Sequence, residues 1–282
     1  GRMMCAAHLA DSVRKKVSKA LREQLVLPKG KHTTILVAIS GGKDSAVLLE
    51  RIHENLSQRR DVTIVGGCVD EGIEGYRPPS LECARELCES LGVRFESVSY
   101  PELGFKEMDE VAEKIIQTGD KKAPCSYCGV FRRQGINHLA ERVGADVIAL
   151  GHNLDDMAQT IMMNMQNGDI ERTLRLAPHT DTPLKGMAPR IVPLRWVPEQ
   201  EIHLYALHKK LPIHHEECPH GDGALRFRHR ETVAMMEADV PGTRHGLLRM
   251  ADDIKKLRKM AGSSLNSVKP INCPECGQIC SG

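Results

Sequence analysis

The chain has 282 residues, 39 Lys and Arg against 37 Asp and Glu, a formal net charge of +2 and 41% apolar residues. That length holds a sizeable core, as one large domain or one domain with small appendages, and the near-neutral charge restricts any nucleic-acid contact to local patches. No apolar run approaches the ~18 consecutive positions of a membrane span. Gly1-Arg2 ahead of Met3 and Met4 read as an expression remnant, and no signal-peptide core follows. The ten cysteines fall partly as C-x2-C pairs in a long chain, which points to thiolates on metal in a reducing, cytoplasmic setting rather than to disulfides.

Cys5 and His8 form half of a metal site and precede Leu9 to Leu25, whose apolar residues recur at helical spacing. Next, the β-branched run Thr34 to Ile39 feeds Ser40-Gly41-Gly42-Lys43-Asp44-Ser45 and then Ala46-Val47-Leu48-Leu49. The order is buried strand, glycine turn, helix. Such a turn brings backbone N–H groups and a helix start onto phosphate oxygens, with Lys43 as a point charge and Ser40 and Ser45 as hydroxyls. The spacing is not that of a Walker loop. It resembles the PP-loop of ATP pyrophosphatases, which implies ATP cleaved between its α- and β-phosphates.

A second strand from Val62 runs on to Cys68-Val69-Asp70, and Cys68 and Asp70 are expected at its carboxyl end beside the adenosine, with Cys68 a packing residue rather than a nucleophile. Arg77-Pro78-Pro79 reads as a loop, with Ser80 capping the helix that carries Leu81, Ala84, Leu87, Cys88 and Leu91. Val93 to Val98 is a third strand. This βαβαβ order predicts an α/β fold with a doubly wound, mainly parallel sheet.

Cys125-Ser-Tyr-Cys128 presents two thiols among Lys121, Lys122, Arg132 and Arg133. Asp146 to Leu150 is a strand leading through Gly151-His152-Asn153-Leu154 to Asp155-Asp156. Two carboxylates at that strand end could hold Mg²⁺ against phosphates or handle the nucleophile's proton; they could also simply favour a helix start. Met157, Ile161, Met162 and Met165 repeat at helical spacing as core, Gly168 to Arg190 reads as loop, and a helix starts at Pro198-Glu199. Cys218 follows, close to His214, His215 and His220. Spacing alone does not pair Cys218 with Cys125 and Cys128, and a structural zinc with one of these histidines as fourth ligand is an open reading of the residue types.

Cys125 to Gln134, together with Gly151 to Asp156 and Met163 to Asp169, resembles the tRNA 2-thiolation enzymes, most closely the archaeal and eukaryotic cytosolic thiouridylases of the wobble uridine. The resemblance spans nearly the whole chain. It implies a [4Fe–4S] cluster on Cys125, Cys128 and Cys218, a catalytic role for Asp156 with Asp155 and Lys43, and Arg132 and Gly151 at the nucleotide. It further implies a tRNA substrate, a sulfur donor that is free sulfide or a thiocarboxylated ubiquitin-like protein, and a homodimer. Uridine 54 or cytidine 32 thiolation, an amidating ligase of the same fold and a non-enzymatic RNA-binding metal module are the competing readings.

The last stretch is helical. Arg226, Arg228, His229 and Arg230, and later Lys255, Lys256, Arg258 and Lys259, are candidate RNA phosphate contacts or solvated helix faces. Cys273-Pro-Glu-Cys276 and Cys280 close the chain, and one zinc on Cys5, His8, Cys273 and Cys276 is one solution, against a site using Cys280 or no metal. The expected division is an N-terminal half knuckle and helix (1–30), a PP-loop domain (31–220) and C-terminal helices with a cysteine knuckle (221–282).

Overall fold

Strand and helix alternate as the hydrophobic pattern requires. The computed structural model describes residues 4–120, 122–179, 187–221, 225–260, 270–272 and 279–281. The strands are β1 (Thr33–Ala38), β2 (Val62–Asp70), β3 (Arg94–Ser99), β4 (Val147–Ala149) and β5 (Arg190–Ile191), with a short hairpin of β6 (Pro270–Asn272) and β7 (Ile279–Ser281). The helices are α1 (Ala6–Gln24), α2 (Lys43–Leu56), α3 (Arg77–Ser90), α4 (Met108–Thr118), α5 (Pro124–Arg142), α6 (Leu154–Gln166), α7 (Ile170–Leu174), α8 (Glu199–His208), α9 (Leu225–Asp239) and α10 (Thr243–Met260). Among the described residues no helix is long and apolar enough to cross a membrane.

The main sheet is five-stranded and parallel, in the order β3-β2-β1-β4-β5. The chain winds outward from β1 to β3, then returns to the other side of β1 for β4 and β5. That reversal opens a crevice at the carboxyl ends of β1 and β4, where open α/β sheets bind their ligands.

Strand alternation sorts the core into two layers. Ile35 and Val37 of β1 pack with Val13, Val17 and Leu21 of α1, Val47 and Leu48 of α2, and Ile202 and Tyr205 of α8. Leu36, between them, faces Leu139 and Ala140 of α5 with Val65 and Val69 of β2. A third cluster joins Leu154, Met157 and Ile161 of α6 to Leu248 and Ala251 of α10.

Several expectations change. Arg77-Pro78-Pro79 is not a loop: the prolines occupy the first turn of α3, where their missing N–H groups have no helical acceptor to lose. Ser80 therefore sits inside that helix, its hydroxyl donating to Arg77 O at 2.8 Å. The C-x2-C pair lies on the first turns of α5 itself. The loop expected over 168–190 contains α7, started by the Asp169 carboxylate accepting from the Arg172 N–H at 2.9 Å. Of the methionine stripe, Met157 is core, whereas Met165 faces solvent.

Candidate functional site

The phosphate loop is built by its own hydroxyls. Ser45 Oγ donates to Gly42 O at 2.9 Å and accepts from Ser40 N at 3.1 Å, with Ser40 Oγ 3.2 Å away. Gly41 has a φ of +82°, and a Cβ there would lie 1.9 Å from Ser80 O. Both the turn and the approach of α3 demand glycine. Gly151, at the end of β4, lies so close to α2 that its Cβ would be 3.3 Å from Ser45 N. The two strand ends thus share one cavity of about 300 Å³, whose wall includes Ser40, Asp44, Ser45, Gly151, Arg132 and Asp156.

Lys43 is held by two carboxylates, Glu199 Oε1 at 2.8 Å and Asp44 Oδ2 at 3.2 Å. Burial alone would lower its pKa, but those charges outweigh it and hold the pKa above the ordinary lysine value. Burial pushes Asp44 up, opposed by Lys43 and by the Asn153 amide donating at 2.8 Å. Desolvation, reinforced by Arg226, Arg190 and Arg132, lowers His152 on the same wall, and Asp156 opposes it.

The acidic pair is split by the start of α6. Asn153 caps the helix by accepting from Asp156 N at 3.0 Å, while Asp156 Oδ2 accepts from Asn153 N at 3.2 Å. Asp156 Oδ1 lies 2.9 Å from Arg226 Nη1, on the cavity wall. Asp155 turns away: it accepts from Glu199 N at 2.8 Å and meets Arg244 Nη1 at 2.5 Å. Successive helical residues point about 100° apart, so one carboxylate reaches the cavity and the other anchors α8 to α10.

Cys68 and Asp70, expected beside the adenosine, have the wrong parity. A strand shows alternate residues to opposite faces, and Gly67, Val69 and Glu71 reach the cavity. Cys68 is fully buried with Cys88 on the other face, and burial pushes its thiol up to about 11, which leaves it a neutral packing group. Asp70 Oδ1 instead accepts from Gly72 N at 3.0 Å.

Glu71 and Arg77 on the cavity wall, and Glu199 on Lys43, are residues that motif reading passes over, whereas His152 on the same wall and the cap Asn153 belong to the Gly151 to Asp156 motif. The available signals were weak: Glu71 directly follows β2, and Glu199 opens α8.

Cys218 joins Cys128 in the cluster that packs beneath α5. Cys125 Sγ faces His220 O at 3.7 Å, and Cys218 O accepts from Gly221 N at 3.0 Å. Burial, then the nearby thiols, raise the pKa of Cys125 and Cys218. Arg132 Nη2 donates to Cys128 Sγ at 3.4 Å. Among the described residues no three His, Cys, Asp or Glu side chains are arranged to hold a single metal ion.

The nearby histidines are engaged elsewhere: His220 with Asp109 at 2.6 Å, His214 edge-on to Tyr76, His215 edge-on to His203. A tetrahedral zinc would hold its sulfurs about 3.8 Å apart on 2.3 Å bonds. Cys125, Cys128 and Cys218 lie within electrostatic reach of one another at the start of α5, and thiolates are the donor set that holds iron–sulfur clusters. At the amino terminus, Cys5 Sγ lies 3.2 Å from His8 Nδ1. Cys273 and Cys276 lie outside the described residues.

Of the expected RNA cations, several are committed within the protein. Arg226 pairs with Asp156, Arg230 with Glu199 at 3.5 Å, Lys256 with Asp253 and Arg258 with Glu171. Arg133 and Arg190 differ. Arg190 Nη2 donates to Asn137 Oδ1 at 2.7 Å, one helical turn beyond Arg133, and neither meets a carboxylate among the described residues.

A parallel sheet whose switch point carries a self-braced phosphate loop defines a nucleotide-binding α/β protein of the PP-loop class. Residues 9–235 match the family model described as a PP-loop domain. The chain is 35% identical over 295 residues to the tRNA 2-thiolation protein NcsA of Haloferax volcanii, covering all of this chain and 90% of that protein. It is 36% identical over 250 residues to the cytoplasmic tRNA 2-thiolation protein 1 of Chlamydomonas reinhardtii, covering 88% of this chain and 67% of that one. The solved structure of the U34-tRNA thiolase NcsA from Methanococcus maripaludis with its [4Fe-4S] cluster superposes with a TM-score of 0.79 at 29% identity, over 91% of this chain and 82% of that one. The chain belongs to the tRNA 2-thiolation proteins of the PP-loop family.

Proposed function

We propose that this chain is an ATP-dependent tRNA sulfurtransferase that replaces the C2 oxygen of the wobble uridine with sulfur. The observation that carries this reading is the joining of the two halves of the site: Arg132 lines the nucleotide cavity and donates to Cys128 Sγ. Through Arg132 a phosphate site for activation would adjoin a thiol site for sulfur.

The uracil C2 oxygen is a poor leaving group. Its attack on the ATP α-phosphate forms an O–P bond and expels pyrophosphate; sulfide then adds at C2 and AMP departs with the oxygen. Both steps are governed by placement and charge. The N–H groups of the Ser40 to Ser45 loop and Lys43, once it exchanges Glu199 for phosphate, would hold the pyrophosphate. Asp44 and Asp156, both on the cavity wall, would hold Mg²⁺ with the phosphates, as one or two carboxylates usually do.

Asp156 is the catalytic carboxylate of this scheme, freed for sulfide attack as Arg226 turns to RNA phosphate, while Asp155 keeps α8 and α10 in register. Cys125, Cys128 and Cys218 would hold a [4Fe–4S] cluster, and three protein thiolates for four irons would leave it able to supply Lewis acidity toward sulfide. Arg133 and Arg190, which meet no carboxylate among the described residues, would offer guanidiniums to the RNA backbone. Sulfide or a thiocarboxylated protein as donor, a homodimer, zinc at the terminal cysteines and a cytoplasmic location belong to the same reading, the last supported by relatives named as cytoplasmic.

Anaerobic incubation of the reconstituted chain with unmodified tRNA, ATP and sulfide, followed by nucleoside mass spectrometry, tests this. 2-Thiouridine at position 34 is expected. Product only at position 54 or cytidine 32 moves the target, and product only with ammonium favours an amidating ligase.

A further inference from the structure

Between the nucleotide cavity and the thiols lies a carboxylate that neither the phosphate loop nor the cysteines explain. The side chain of Glu71 is 4% exposed, and two guanidiniums close on it: Arg77 Nε is 2.7 Å from Oε2, and Arg132 Nε is 2.9 Å from Oε1. Arg77 is buried too. Its Nη1 donates to Ser40 O at 3.0 Å and Ser80 Oγ at 3.1 Å, and its Nη2 to Cys68 Sγ at 2.8 Å and to Val69 O. One side of Glu71 is thus tied to the phosphate loop. Arg132 carries the other side to Cys128 Sγ, 3.4 Å from Nη2.

We propose that Glu71 is a positioning residue that locks Arg132 so that a single guanidinium serves the nucleotide and the Cys128 side of the site together. The physical case rests on what burial demands. A buried charge is tolerated only when paired and hydrogen-bonded, and an apolar residue of equal volume would pack at least as well. The carboxylate therefore has a use only if the two guanidiniums must be held in place. Arg77 has four other acceptors. Arg132 is half exposed, on a long flexible side chain, and Glu71 and Cys128 are the groups that orient it. A planar fork held through Nε on Glu71 and through Nη2 on Cys128 leaves Nη1 for the cavity.

This inference rests on the nucleotide reading of the cavity, not on the identity of the acceptor. Its test is a double-mutant cycle on the full chain, reading Mg-ATP dissociation constants by titration calorimetry for wild type, Glu71→Gln, Arg132→Ala and the double variant. Each single change is expected to weaken binding about tenfold, and the double variant to bind within about twofold of the weaker single. Glu71→Gln binding like wild type, or effects that multiply in the double variant, would overturn the proposal; the second result is what a purely structural role produces.

If Glu71→Gln does not fold, Glu71→Asp keeps the charge but falls one methylene short of the bridge. It should weaken ATP about fivefold in the wild-type background and not at all beside Arg132→Ala. Equal effects in both backgrounds overturn the idea. A wild type that shows this coupling yet makes no thiouridine sinks the tRNA reading and leaves Glu71 in place. One that binds no ATP sinks both.

Discussion

Gly41→Ala is the most demanding test of how the phosphate loop is built. The residue has a φ of +82° and its new Cβ would sit 1.9 Å from Ser80 O and 2.7 Å from Ser80 C, both backbone atoms of α3. The left-handed backbone costs an alanine about 1–2 kcal/mol, and the forced backbone shift adds about 1–3 kcal/mol. A loss near ~3 kcal/mol corresponds to a melting point lower by about 6–12 °C for a chain of this size.

Gly42→Ala is the internal control. Its φ of −86° suits any residue, and the nearest atom to its Cβ would be Ser40 Oγ at 3.5 Å. As a helix N-cap it should lose only about 1 kcal/mol, hence about 2–4 °C. Differential scanning calorimetry reads both, and titration with Mg-ATP should show Gly41→Ala at least about tenfold weaker than Gly42→Ala. A Gly41→Ala protein that melts within about 2 °C of wild type, or a Gly42→Ala protein equally damaged, would refute the argument that the approach of α3 dictates the first glycine.

The remaining predictions concern chemistry. Asp156→Asn should retain the helix cap in part, weaken Mg-ATP binding and lower single-turnover thiolation by about 10²-fold or more; Asp155→Asn should lower the melting point, through Arg244, more than it lowers the rate per folded molecule, and the reverse ranking would exchange their roles. Cys218→Ala, reconstituted anaerobically, should lose its broad visible absorbance and most of its iron while its far-ultraviolet circular dichroism stays unchanged; full iron content would remove Cys218 from the ligand set. Arg133→Ala with Arg190→Ala should weaken tRNA binding and reduce the slope of log affinity against log salt by about 1–2, and an unchanged slope would take both residues off the RNA path. Cys68, whose thiol is pushed up to about 11, should resist alkylation at pH 8 while exposed Cys5 reacts; rapid labelling of Cys68 in the native protein would contradict its burial.

Local patterns were legible without any coordinates. A β-branched run, a turn needing glycine and a helix start are adjacent in the chain, so Ser40 to Ser45 reveals a phosphate site by itself, and the alternation of strands with amphipathic helices predicts the parallel sheet. The C-x2-C pair is equally local. Other features depend on distances the chain does not encode in order. Cys218 meets Cys128 because the segment after α8 returns across the sheet to the start of α5.

Strand parity decided that Val69 and Glu71, not Cys68 and Asp70, face the cavity; a shift of one residue reverses every side chain, and Val62 to Cys68, with Ile64 and Val65 adjacent and two glycines after them, does not alternate clearly enough to show its register. Asp155 and Asp156 look interchangeable in the sequence, yet the helical turn between them sends one to the cavity and the other to Arg244. The buried bridge of Glu71 between Arg77 and Arg132 could not be read at all, since pairing of charges across α3, β2 and α5 exists only after the layers pack. Sequence thus determined that this chain carries a nucleotide-phosphate loop and grouped thiols. Tertiary structure decided that Arg132 stands between them, lining the cavity and donating to Cys128 Sγ, because only the packing of α5 against β2 brings it there.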